Sequence, residues 1–75
     1  MTRKNQTEDE LFFVSFCIEE YKARRDMTGG EVAVLFEKYG VTDFLMEHFE
    51  VLHTLDRDMI LDEIDKFIEA GRRKK

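Results

Sequence analysis

Five acids near the end of the chain have the strongest claim to chemistry. Asp56, Asp58 and Asp62, with Glu63 and Asp65 behind them, place oxygen ligands at roughly the intervals of a calcium loop. Such a loop turns sharply at a glycine, and this chain has Leu61 there, inside an apolar series at 59, 60, 61 and 64 that demands a continuous helix. The acids therefore read as the solvated side of that helix, with Asp62 and Lys66 as a four-apart ion pair. His48 and His53 are five apart, so on a helix they diverge, unlike zinc ligands four apart on one face. His48 lies between Phe44 and Phe49 and is expected in the core, and His53 at a helix corner. Gly29 and Gly30 precede a helix start but lack the longer glycine spacing and the lysine of a phosphate loop. Cys17, the one cysteine, sits between Phe16 and Ile18 and reads as a small buried hydrophobe. Ser15 has no base at a useful spacing. The residues thus imply no catalytic group, no metal site and no cofactor.

What must be positioned instead is apolar surface. Leu11 to Ile18 reads LFFVSFCI, seven apolar residues in eight. Thr7 and Glu10 form a capping-box pair directly before it, so a first helix is expected over residues 7–25. Leu11, Val14, Ile18 and Tyr21 follow one helical face, and Phe12, Phe13, Phe16 and Cys17 widen it well around the cylinder. One face can pack inward. The surplus, Phe13 with Phe16 or Phe12 with Phe16 depending on the helix's rotation, would meet water at about 25 cal/mol for each Å² left unburied.

Three more helices follow. Thr28 and Glu31 repeat the capping-box spacing, Val32, Leu35, Phe36 and Tyr39 form a stripe, and Gly40 supplies a left-handed stop. Thr42 is expected to cap a third helix ending near Glu50, with Val41 as a staple before it and Phe44, Leu45, His48, Phe49 and Leu52 facing inward. Thr54 or Asp56 is expected to cap the last, whose inward face is Ile60, Leu61, Ile64, Phe67 and Ile68 and whose stop is Gly71. Without proline and without alternating segments, the expected fold is all-α: a compact four-helix orthogonal bundle in one domain over residues 7–71. Residues 1–6 are expected to be a flexible tail, and 72–75 a basic one.

Seventy-five residues, 43% hydrophobic and 39% charged, suit a small globular domain rather than a disordered segment. The charge is uneven within a net of −5: residues 26–71 carry twelve acids against Lys38, Arg57 and Lys66. Such a surface repels nucleic acid and favours a basic partner. The second and third helices could mimic a helix-turn-helix, but the recognition element would present Asp43, Glu47 and Glu50, so a nucleic-acid-binding regulator is the weaker alternative. No apolar run reaches the roughly 20 residues of a membrane span, and the chain is expected in the cytoplasm.

The segments FFVSFCIEEYK (Phe12 to Lys22), LFEKYGV (Leu35 to Val41), VLHT (Val51 to Thr54) and DEIDKFI (Asp62 to Ile68) together resemble a family of small uncharacterised bacterial proteins that share a domain of unknown function. That resemblance implies a gene often beside one for a larger ADP-ribosyltransferase-like toxin, and hence an antitoxin or accessory subunit. It carries no catalytic or binding residues with it. The residues themselves imply a protein-protein interaction module that binds itself, as a homodimer, or a neighbour-encoded protein. The candidate interface is Phe12, Phe13, Phe16 and Glu20 on helix 1, and Asp58, Asp62, Asp65 and Glu69 form a second, acidic face for a basic partner.

Overall fold

A computed structural model describes the backbone of residues 2–73 and the side chains of residues 8–73. The order is α1 (Thr2–Arg25), α2 (Gly29–Tyr39), α3 (Val41–Glu47), α4 (Phe49–Leu52) and α5 (Arg57–Arg73), with no strand among the described residues. The fold is all-α. Helix α1, about 36 Å long at 1.5 Å per residue, spans most of the molecule's 39 Å long axis and packs against α2, α3 and α5.

Where local chemistry decides a boundary, the expected elements are present. Thr28 Oγ1 accepts from the Glu31 amide at 3.1 Å while Glu31 Oε1 accepts from the Thr28 amide at 2.9 Å, the reciprocal pair that satisfies two orphan donors. Gly40 takes φ 70° and ends α2, its amide donating back to Glu37 and Phe36. Helix α1 stops at Asp26, whose φ of 55° reverses the chain so that the Met27 amide donates to the Lys22 carbonyl at 3.0 Å.

Several boundaries differ from expectation. The backbone of α1 is helical from Thr2, more than a turn before Thr7; the side chain of Thr7, with the capping role expected of it, lies outside the described residues. Thr42 does not cap a helix, because Gly40 ends α2 and begins α3 in one residue, and Val41 becomes the first residue of α3, fully buried. The expected third helix is two, parted at His48, whose φ of −108° and ψ of 21° leave the helical region. That break turns His48 out to solvent, where it tilts against Phe44 with ring centroids 5.1 Å apart, so it is not a core residue. Thr54 donates its hydroxyl to the Val51 carbonyl at 2.7 Å instead of capping α5.

Gly71 does not stop α5, which continues to Arg73. Its role is steric. A Cβ there would fall 2.8 Å from Tyr39 Cδ1, so the bare α-carbon makes room for the ring that closes α2 against α5. Replacing a helical glycine with alanine ordinarily stabilises by about 1 kcal/mol. Gly71→Ala is expected to lose stability instead, and to recover the ordinary gain when Tyr39 is also alanine, as a denaturation cycle of the four proteins would read.

The core is Phe13, Val14, Cys17 and Tyr21 from α1, Val32 and Phe36 from α2, Val41 and Leu45 from α3, Leu52 from α4, and Ile60, Leu61, Ile64 and Ile68 from α5. Leu35, Tyr39, Phe44, Phe49 and Phe67 pack around it, half-buried. Phe44 and Phe67 stack at 4.3 Å and tie α3 to α5.

Candidate interaction surface

The core fixes the rotation of α1. Phe13 and Val14, followed by Cys17 and Tyr21, hold the inward face at successive turns, which turns Leu11 outward at 54% exposure. Of the two pairs left open by the sequence, Phe12 and Phe16 are the one outside: Phe12 is 78% exposed and Phe16 38%. Phe13 is not on that surface. Its ring is 7% exposed and meets Phe49 edge-on, centroids 5.4 Å apart and planes at 73°.

Phe12 and Phe16 form one lip of a groove of about 650 Å³ between α1 and the α4–α5 corner. Its floor and far wall include Phe13, Phe49, Leu55 and Ile60, and Asp9, Glu50, His53 and Arg57 stand around it. The His53 ring stacks on Phe49 at 4.6 Å, which extends the aromatic wall. Arg57 reaches Glu20 at 3.2 Å and Asp58 at 3.6 Å, so the expected interface residue Glu20 serves as an internal strut between α1 and α5 and does not itself line the groove.

The acidic side of α5 is largely engaged within the chain. Asp65 Oδ1 accepts from Tyr21 Oη at 2.7 Å and from Arg25 at 2.9 Å, and Oδ2 from Arg24 at 3.1 Å; Arg24 also reaches Asp62 at 3.1 Å. Burial alone would lift the Asp65 carboxyl, but the hydrogen bonds from Arg25 and Tyr21 and the charges of Arg25 and Arg24 outweigh it and hold Asp65 below the ordinary carboxylate value. The same contacts act on the donors: burial and then the bond to Asp65 raise Tyr21, and Asp65 raises Arg25. Glu69 lies 4.0 Å from Arg72 and 3.7 Å from Arg73, and Lys66 pairs with Glu63 at 3.6 Å rather than with Asp62. Asp58, Asp62 and Glu69 thus keep more than half of their side-chain exposure while paired, and only Asp65 is drawn toward α1. The cations that meet Asp62 and Asp65, Arg24 and Arg25, stand about forty positions away, beyond the reach of local spacing.

Cys17 is fully buried, and burial, with Glu20 nearby, pushes its thiol up to about 12. A thiol so far from its thiolate is a packing group at neutral pH. Among the described residues no three His, Cys, Asp or Glu side chains gather as metal ligands, and no helix is long and apolar enough to cross a membrane.

A family model described as "Protein of unknown function (DUF3791)" matches residues 12–71, from the outermost ring of α1 to the glycine beside Tyr39. The chain belongs to the DUF3791 family. Membership agrees with the resemblance carried by the FFVSFCIEEYK, LFEKYGV, VLHT and DEIDKFI segments, and it assigns no activity. The DUF3791 match takes in Phe12, Phe16, Phe49 and Leu55, which line the groove, and leaves out Asp9. No curated protein and no solved structure matches this chain.

Proposed function

We propose that this DUF3791 domain is a non-catalytic protein-protein interaction module that docks through the outer side of α1 and the groove beside it. One observation carries the reading: Phe12, 78% exposed, stands one turn from Phe16 on the lip of an aromatic-floored groove. Fully covering a phenylalanine is worth about 2 kcal/mol, a large share of the stability of a domain this small. Large rings in such settings are the residues that dominate interface energy.

Two partners suit the face at this level. A second copy would make a homodimer, and a neighbour-encoded protein resembling an ADP-ribosyltransferase toxin would make this chain an antitoxin or accessory subunit. Size measurements at micromolar dilution, on the chain alone and co-expressed with its neighbour, separate them. In whichever complex forms, Phe12→Glu is expected to abolish association while helical content stays unchanged. Association that is indifferent to Phe12→Glu in both settings would remove α1 from the interface.

A further inference from the structure

We infer that the occupant of the groove is an amphipathic helix of another protein with basic margins, in preference to a second copy of this chain. This rests on α1 being the docking face and adds the chemistry of what docks there.

The argument comes from the charges that frame the two rings. Glu8 and Asp9 precede Phe12 by four and three residues, and Glu19 and Glu20 follow Phe16 by three and four. At helical spacing these are the turns directly above and below the rings. Acids therefore bracket the aromatic lip at both ends. Among the described residues, the cations nearest this face are Lys22, 3.1 Å from Glu19, and Arg57, shared between Glu20 and Asp58; they are two against three carboxylates, so this end stays net negative with its pairs made. Glu8 and Asp9 are exposed and meet no cation among the described residues.

Self-pairing centred on the two rings brings like charges together in both the antiparallel and the parallel arrangement. With the axis perpendicular to α1 between Phe12 and Phe16, the helices run antiparallel, and Glu8 and Asp9 of one copy meet Glu20 and Glu19 of the other. With the axis along the helices, each residue meets its own counterpart, and all four acids again face acids. Opposed like charges at an interface penalise the wrong partner strongly. A helix carrying aliphatic side chains at i, i+3, i+4 and i+7, with lysine or arginine beside them, satisfies both halves of the surface. Its apolar stripe fills the space between Phe12, Phe16, Phe49 and Leu55, and its cations answer Glu8 and Asp9 above and the net negative charge left at the paired end below.

Two labelled 18-residue peptides test this against the full chain by fluorescence anisotropy at physiological salt: leucine at helical spacing with lysine elsewhere, and the same peptide with glutamate for lysine. The lysine peptide is expected to bind at least tenfold more tightly than the glutamate peptide. Phe12→Glu is expected to weaken it at least tenfold, with circular dichroism and thermal midpoint unchanged. That variant adds a negative charge, so an attraction of charge alone would strengthen. Equal binding of the two peptides, or lysine-peptide binding that Phe12→Glu leaves alone or tightens, would overturn the inference. Sedimentation of the chain alone distinguishes the remaining case: a micromolar dimer that Phe12→Glu dissociates overturns the basic partner while the docking face stands. Indifference to Phe12 in every assay removes the docking face as well.

Discussion

Phe13→Ala is expected to cost about 3–4 kcal/mol of folding free energy, whereas Phe12→Ala, one residue earlier, should leave stability nearly unchanged. The contrast follows from rotation about one helix axis. Phe13 is 7% exposed and edge-on to Phe49, so truncation leaves a cavity between α1 and α4 and removes a specific aromatic contact. Phe12 is 78% exposed, and alanine is a better helix former than phenylalanine, so nothing opposes the change there. In a domain of this length the total stability is roughly 4–11 kcal/mol. Phe13→Ala should therefore lower the thermal midpoint by about 12–32 °C, at about 4–8 °C per kcal/mol, and leave a fraction of the chain unfolded in a marginal background. Thermal melts followed by circular dichroism read both variants. A large loss at Phe12 with little at Phe13 would mean that α1 is turned by one residue, and the groove would lose its lip.

Asp65→Ala should be the most damaging of the polar substitutions, at about 2 kcal/mol, and more damaging than Tyr21→Phe at about 1 kcal/mol. Asp65 accepts from Tyr21, Arg25 and Arg24 and so fastens the C-terminal end of α1 to the middle of α5. Removing the carboxylate leaves the hydroxyl of a residue only 3% exposed without that acceptor and sets two guanidinium groups side by side. Solvent screening moderates the loss, because the Asp65 side chain keeps 28% of its exposure and Arg25 keeps half. The effect carries a pH signature. Between the depressed carboxyl value in the folded chain and the ordinary 3.8, the unfolded chain binds the proton and the folded one does not. Stability from this group is therefore fully present above the ordinary value and drains away as pH falls through the folded one. The gap in stability between the native chain and Asp65→Asn should narrow as urea melts are taken from pH 6 down to pH 3. A gap independent of pH across that range would show that Asp65 acts by packing rather than by charge.

These two expectations lie on different sides of what a linear chain makes legible. Thr28 with Glu31, and Gly40 at the end of its stripe, could be read directly, because a cap is made of residues three or four apart and its geometry is settled before anything packs. The helical class could be read for the same reason, since periodicity of 3.6 is a property of neighbours. The break at His48 is silent along the chain because no proline or glycine marks it, and Gly71 reads as a stop because the ring it makes room for lies thirty-two positions earlier.

The sequence by itself determined that this chain is helical, where α2 begins and ends, and that the stretch from Leu11 to Ile18 holds more apolar residues than one face can absorb. Only the tertiary structure decided which of those residues face out and which acids are already matched. A helix turns 100° per residue, so an apolar arc as wide as LFFVSFCI fits the core in more than one rotation, and α2, α3 and α5 choose among them by packing. The carboxylates of α5 look free along the chain because their cations, Arg24 and Arg25, arrive from the far end of α1. Local spacing fixes local geometry, and contacts across forty residues exist only once the chain has closed.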